Sequence, residues 1–427
     1  MGMKKWMMAA ATAAILGMGF VPSAYAAVNV TGVKAVQRYP WNGLVDIDYT
    51  VVCDDATADV YVFPEGTDND TGALLQMRTL TGEGANGAVK AGTHRMTWNA
   101  AKDMPNYHTP NFSVKVTAIR GAAPYIVIDL SRGADAFNYP VRFSLIGPDL
   151  TNDTCRTTEL WLRIILPGTF TMGSPETELG HNWNSDSNGE DLHQVTITKP
   201  FYLGVFEVTQ KQYTLVMGSN PSSYKGNTRP VEYVSYNMLR GSSLGTNWPA
   251  HNQVDADSFF GKIRARTSLT LDLPTEAMWE FACRAGTTTA LNNGKDLTDT
   301  AQCAEMAEVG RYWYNTNDGK GGYSQHTKVG SYAPNAWGLY DMHGNVAELC
   351  LDWWQKNLGT STVTDPKGAT SGSYRLVRGG CWYSYKYAGY AAACRSAYRG
   401  DYYGTFYVHP SNSYYQWGFR VCCFPAD

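Results

Sequence analysis

The chain is poor in charge. Of its 427 residues 17% are Asp, Glu, Lys or Arg, and the formal net charge is −3. Binding to a nucleic-acid backbone needs a clustered basic face, so nucleic acid is not expected as a partner, and nothing in the charge suggests bulk attachment to a membrane surface. Beyond residue 26 there is no long apolar run, so no membrane span is expected after that point. No C-x-x-C or Cys/His cluster has zinc spacing, which argues against a structural zinc site. No G-x-S-x-G elbow or phosphate-binding loop is present, and there is no internal repeat.

What is present fits a globular protein. Hydrophobic residues make up 44%, and the length suits two or three domains at roughly 150 residues each. Residues 1–26 read as a signal peptide. Lys4 and Lys5 are the positive start, Met7 to Val21 is almost wholly apolar, and Ala24-Tyr25-Ala26 fits the small-x-small cleavage rule. The expected location is therefore secreted, periplasmic or at the cell surface, where disulfides can form. The nine cysteines are Cys53, Cys155, Cys283, Cys303, Cys350, Cys381, Cys394, Cys422 and Cys423. An odd count leaves at least one without a partner in its own chain.

Residues 27–121 read as all-β. "VDIDYTVVC" and "ADVYVF" alternate apolar and polar positions, as do "HRMTWNA" and "NFSVKVTAI", and glycine-rich turns separate them. This spacing predicts a small antiparallel sandwich, similar to the immunoglobulin-like accessory domains of secreted bacterial proteins. Residues 122–160 are a bridge with strand character in "YIVIDL" and "ELWLRIILPG", and the last boundary falls near Glu159. From residue 161 onward Trp, Tyr and Gly rise and helical periodicity is scarce. "PTEAMWEFACRAG" is the clearest helix, with Thr275 as N-cap, Glu276 and Glu280 in its N-terminal half and Gly286 as its stop. "TQKQYTLVMG" is a second, capped by Thr209 and stopped by Gly218. The remaining long loops must satisfy their backbone groups by turns, side chains, water or ions.

Seven segments then occur in order: "GTFTMGSPETE", "HQVTITKPFYLGVFEVTQKQY", "NPSSYKGNTRPVEYVSY", "LDLPTEAMWEFACRAGT", "HTKVGSYAPNAWGLYDMHGNVAELCLDWW", "RLVRGGCWYS" and "WGFRV". Together they resemble the formylglycine-generating-enzyme, or sulfatase-modifying-factor, superfamily over residues 161–425. The resemblance implies an irregular α+β fold related to C-type lectins for residues 161–427, preceded by the small all-β immunoglobulin-like sandwich. It also implies a copper site on two cysteines shortly after a glycine pair, since thiolates suit Cu(I). Here the pair is Gly379-Gly380, and Ser384 and Gly389 occupy the two cysteine positions. Cys381 lies before the first position and Cys394 too far along the chain. No catalytic residue is therefore assigned, and copper is not expected.

The same resemblance implies calcium in "GLYDMHGNVAE". Asp341 and Glu348 would give side-chain oxygens and Gly344 and Val346 backbone carbonyls, a donor set that suits a hard cation. A second calcium site, around Asp318, lacks the expected pattern. Cys283 and Cys394 match a pair that is bridged in secreted members; such a bond would contribute ~4–5 kcal/mol in the chain-entropy account.

Residues 381–417 hold ten of the chain's 28 tyrosines, among Ser, Ala, Gly and Asn. Tyr with small polar residues is the composition of adaptable binding surfaces. Trp382, Tyr383, Ser384, Tyr385, Tyr387, Tyr402, Tyr403, Tyr407, Tyr414 and Tyr415 are the candidate ligand-binding residues. The composition is similar to the variable region of diversity-generating-retroelement targets. Glu190-Asp191 near His193 could pass for acid/base equipment but reads as solvated loop, His343 reads as structural, and His409 as part of a turn before Pro410. The expectation is a non-catalytic module for an unknown protein or surface ligand. The alternatives are an oxidase converting a sulfatase cysteine to formylglycine, and a structural envelope protein.

Overall fold

The computed structural model describes residues 28–424 apart from 40–41, 73, 76, 78, 86–87, 106, 121–122, 145, 183–188, 268, 316–324, 384–389 and 401–407. The expected signal peptide lies outside the described residues. The chain forms two compact units. One runs to Pro124 and includes Phe143–Gly147; the other comprises Tyr125–Arg142 and Pro148 onward.

In the first unit, strands Val28–Gln37, Leu44–Cys53, Gly92–Asn99 and Leu80–Gly82 form a four-stranded antiparallel sheet in that order. Leu74–Leu75, Val60–Asp68 and Phe112–Arg120 form a three-stranded one. Period-two alternation sends Val45, Ile47, Tyr49 and Val51 inward, where they share a core with Val60, Val62, Met96, Trp98, Val114 and Val116. The alternate residues face out: Asp46 pairs with Arg38 at 2.6 Å and Asp48 with Arg95 at 2.5 Å.

The second unit is built on a sheet in which Thr270–Asp272, Cys422–Phe424, Phe201–Gly204, Glu159–Ile165 and Tyr125–Asp129 follow in that order. Of the segment 122–160, expected as a bridge, Tyr125–Asp129 lies in this sheet, antiparallel to Glu159–Ile165. The strand Cys422–Phe424 inserts between Thr270–Asp272 and Phe201–Gly204. Smaller sheets join Gly168–Met172, His193–Ile197 and Val363–Thr364, and Arg375–Arg378, Ala347–Trp353 and Trp417–Gly418.

The two anticipated helices form as their caps dictate. In Glu276–Arg284 the Thr275 side chain accepts from Met278 N, and the chain leaves through left-handed Ala285 and Gly286. In Gln210–Met217 Thr209 and Gln212 make a reciprocal capping box, and Gly218 ends the helix at φ 80°. The first helix buries Trp279, Phe281, Ala282 and Cys283 in the main core with Phe201, Leu203, Met342, Leu376 and Cys422. Glu276 and Glu280 are buried too.

Long irregular connections are held by buried arginines. Arg378 donates to Ala397 O, Tyr398 O and Ser396 O and pairs with Glu280. Arg399 pairs with Glu276 at 2.5 Å. Arg420 donates to Gly204 O and Tyr340 O and pairs with Glu348 at 2.7 Å. Each guanidinium thus satisfies loop carbonyls with some donors and a carboxylate with others, which is how buried charge is tolerated here.

Candidate functional site

The loop Asp341–Glu348 turns sharply, with Asp341, Gly344 and Asn345 all in the left-handed region at φ 57°, 78° and 61°. At Gly344 a side chain would also meet Arg311 O at 2.1 Å, so only glycine fits. Asp341 accepts from Gly330 N at 2.6 Å through Oδ2, while its buried Oδ1 has no hydrogen-bond partner. Glu207, which no local motif marks, accepts from Val346 N at 3.0 Å and from Asn345 Nδ2 at 2.6 Å. Glu348 has both oxygens engaged, by Arg420 and by Trp279 Nε1 at 2.7 Å.

Burial and the neighbouring Glu207 and Glu348 charges shape the electrostatics of this loop. Burial, then the charges of Asp341 and Glu348, hold the Glu207 carboxyl well above its ordinary range. Burial pushes Asp341 up to about 6, against the hydrogen bond from Gly330 and the charge of Arg420. Three buried carboxylates therefore share Arg420 and, at Asp341, the charge of Arg156, an excess of negative charge that protonation or a cation would relieve. The unpartnered Asp341 oxygen is a donor of the kind a hard cation takes. Glu348 fits less well, because Arg420 holds it. Among the described residues no group of three or more His, Cys, Asp or Glu side chains is placed to hold a metal ion, so any cation here would rely on carbonyls as well as carboxylates.

Asn345 links this loop to the tyrosine-rich segment. Its side chain joins Glu207 and Thr327 N, and its carbonyl accepts from Trp382 N at 3.0 Å. Trp382 is not a surface residue as anticipated. It is 1% exposed and forms the floor of an aromatic cluster. Tyr224, Tyr383, Tyr415 and His326 lie 5.1, 5.2, 6.1 and 6.1 Å from it, centroid to centroid. Tyr233 joins through Tyr415 at 6.1 Å and Trp313 through Tyr383 at 5.9 Å. The outer rings are half-buried, so the cluster has a packed base and an accessible rim. Tyr414 packs instead on Trp417, at 4.7 Å. Tyr224, Tyr233, Trp313 and His326 were missed as candidates because they are dispersed between residues 224 and 326. Ser384, Tyr385, Tyr387, Gly389, Tyr402, Tyr403 and Tyr407 lie outside the described residues.

The cysteines differ from expectation. No disulfide joins Cys283 and Cys394. Cys283 Sγ contacts Met342 O, His343 Nε2 and Ser396 Oγ, and burial pushes the thiol up to about 12. Cys394 instead packs on the Gly380-Cys381 backbone: a side chain at Gly380 would stand 2.6 Å from its Sγ. Burial, then the neighbouring Cys381, hold its thiol well above the ordinary range. Distance along the chain had set Cys394 apart from Cys381; the fold brings them together.

The three histidine readings divide. His343 is structural: Nδ1 donates to Cys394 O at 2.7 Å, Nε2 accepts from Asn292 N at 3.0 Å, and burial pushes the ring down to about 4. His409 sits in a turn, its carbonyl accepting from Asn412 N. Glu190 is no solvated loop residue. It is 1% exposed, accepts from Ser174 Oγ at 2.5 Å and pairs through both oxygens with Arg395 at 2.9 and 2.8 Å. His193 is buried with Nδ1 on Asp191 O. A carboxylate held by Arg395 is not placed to exchange protons with a substrate.

Residues 149–423 match the family described as the sulfatase-modifying factor enzyme 1-like domain. Chaperone protein LppX of Paenibacillus barcinonensis is 29% identical over 211 residues, covering 43% of this chain and 70% of the relative. Serine/threonine-protein kinase pkn1 of Chlamydia pneumoniae is 31% identical over 201 residues, covering 46% and 30% respectively. Formylglycine-generating enzyme of Mus musculus is 38% identical over 128 residues, covering 29% and 34%. This chain thus spans under half the length of the last two. Among solved structures, Treponema denticola variable protein 1 aligns with a TM-score of 0.45 at 26% identity over 63% of this chain and 96% of that one. PvdO from Pseudomonas aeruginosa aligns at 0.46 and 23% identity, over 62% and 94%. With the family match spanning well over half of its residues, the chain belongs to the sulfatase-modifying factor family.

Proposed function

We propose that the protein is a secreted, non-catalytic member of its family that binds an external ligand on its tyrosine-rich face. The observation that carries this reading is the aromatic cluster of Trp382, Tyr383 and Tyr415 with Tyr224 and Tyr233, whose rim is half-buried rather than sealed. Ser384 and Gly389 at the family's cysteine positions support it from the sequence, since neither can serve as a thiolate ligand to Cu(I). The residues 1–26 support export, and the first unit is proposed as an immunoglobulin-like accessory sandwich. A retroelement origin for the diversity of residues 381–417 is part of the same proposal; a gene neighbourhood with no template repeat and no reverse transcriptase would remove it.

Calcium is proposed as the structural ion of the Asp341–Glu348 loop. Asp341 and Glu348 would hold it with the carbonyls of Gly344 and Val346, and its charge would offset the buried carboxylates. Two experiments test these readings. Glycan and peptide arrays probed with the purified chain are expected to give binding that a Tyr383→Ala/Tyr415→Ala double variant loses. Oxidation of a sulfatase-type cysteine peptide to its aldehyde, with Cu(I) and oxygen supplied, would overturn the non-catalytic reading. For the ion, calcium at a hundred times its Kd is expected to stabilise the second unit by about 2.7 kcal/mol, and Asp341→Ala to abolish that gain.

A further inference from the structure

Three buried polar side chains meet among the half-buried tyrosines. His326 and Trp382 are each 1% exposed and Glu232 0%. Among the described residues neither nitrogen of His326 has a hydrogen-bond partner, nor has the Trp382 indole N–H, nor Glu232 Oε2. Glu232 Oε1 accepts from Tyr224 N at 2.7 Å and stands 3.7 Å from His326 Nε2, beyond hydrogen-bond reach. The His326 and Trp382 rings are 6.1 Å apart, and Tyr224 lies 6.0 Å from the first and 5.1 Å from the second. The three side chains thus share one corner.

Each buried polar atom without a partner weakens the folded state, and native structures hold few of them. Backbone strain sits at the same place. Tyr233, next to Glu232, has φ 60°, a left-handed conformation in which a bulky residue is an outlier. Strain of this kind clusters at ligand clamps and switch regions. Tyr415 packs on the rings that wall the corner, 6.1 Å from Tyr224 and 6.1 Å from Trp382, and it also lies 6.1 Å from Tyr233. It is half-buried, so the ring that closes this side of the corner is itself partly open to solvent.

We propose that this packing is a closed form, and that displacement of Tyr415 opens the corner of Glu232, His326 and the Trp382 N–H to a ligand rich in hydroxyl groups. The proposal rests on the binding reading above and names the chemistry of that ligand. The corner needs both donors and acceptors. The indole N–H only donates and the free carboxylate oxygen only accepts. Burial pushes the His326 pKa down, and a neutral imidazole offers one nitrogen of each kind. A hydroxyl donates and accepts at once. A carboxylate ligand would set its charge against Glu232, and an ammonium ligand would bring only donors to an indole N–H that needs an acceptor. The unmatched groups weaken the closed form and serve the ligand, a trade of stability for function.

The test uses the full chain, with myo-inositol as the hydroxyl-rich probe and benzoate and benzylamine as charged ones. Calorimetry on the wild type is expected to show myo-inositol bound more tightly than either. Bound myo-inositol is expected to speed nitration of Tyr415 by tetranitromethane and to leave Tyr414, which packs on Trp417, unchanged. His326→Phe keeps a ring and removes both unmatched nitrogens. It is expected to raise the Tm by roughly 2–4 °C, to slow nitration of Tyr415, and to weaken myo-inositol roughly tenfold. Should that variant fail to fold, the wild-type measurements decide alone. A folded His326→Phe no more stable than wild type, Tyr415 nitration unmoved by myo-inositol, benzoate or benzylamine bound as tightly, or no binding of myo-inositol at millimolar concentration each overturns the proposal. Array binding that depends on Tyr383 and Tyr415 but is indifferent to His326→Phe would do so while leaving the binding reading intact.

Discussion

Asp352 offers a direct measure of how much buried charge this fold carries. It is 3% exposed, and its Oδ2 accepts from Glu276 N at 2.8 Å, at the first turn of the helix Glu276–Arg284. Burial, then the nearby Glu276 carboxylate, pushes it up from 3.8 to about 7, and Arg375 and Arg399 only partly oppose this. In the unfolded chain it titrates near its ordinary value. Between about pH 4 and pH 7 the folded protein therefore holds a proton that the unfolded chain has released, so stability from this group is full below pH 4 and is lost as pH rises through 7. At ~1.36 kcal/mol per pH unit the loss approaches about 4 kcal/mol. Asp352→Asn removes the titration and keeps an oxygen to accept from Glu276 N. The variant is expected to match wild type near pH 4 and to exceed it by a few kcal/mol at pH 8, measured by urea unfolding followed through tryptophan fluorescence across that range. A difference that does not grow with pH, or a variant less stable at pH 8, would refute the reasoning.

Three further outcomes follow from buried groups and thiols. Arg395→Met strands Glu190 and Glu178, which Arg395 now neutralises; the expected loss is about 3–5 kcal/mol, and adding Glu190→Gln should recover part of it in the same unfolding assay. Peptide mapping after exposure to oxidised glutathione is expected to recover Cys283 and Cys394 as thiols, because both are buried and hold their protons; a Cys283–Cys394 peptide would restore the pairing inferred from resemblance. Gly344→Ala, at φ 78° and against Arg311 O, is expected to destabilise the second unit by more than 1 kcal/mol, visible as a lowered Tm.

The parts legible in the sequence are those fixed by neighbours along the chain. Thr275 with Gly286, and Thr209 with Gly218, marked two helices because a cap and a left-handed exit are local events. Alternation in "VDIDYTVVC" set the inward face of its strand for the same reason. What escaped depends on partners far away. Glu276 and Glu280 suited a helix N-terminus, and nothing nearby announced that Arg399 and Arg378 would bury them. Glu190 looked solvated because Arg395 comes from more than two hundred residues on. The aromatic cluster was half seen: Trp382, Tyr383 and Tyr415 stood out by composition, while Tyr224, Tyr233, Trp313 and His326 each lie in segments where one aromatic residue is unremarkable. Within the expected bridge, Tyr125–Asp129 escaped notice as a sheet member because a short apolar strand reads alike in a linker and in a sheet.

The buried arginines have a further consequence. Arg378 grips Ser396, Ala397 and Tyr398 by their carbonyl oxygens, and Arg420 grips Gly204 and Tyr340 the same way. A carbonyl is common to all twenty amino acids, so such an anchor is blind to the side chain it holds. Register in these loops is thus set by backbone alone, while the buried side chains of Ser396, Ala397 and Tyr398 are constrained separately by the packing around them.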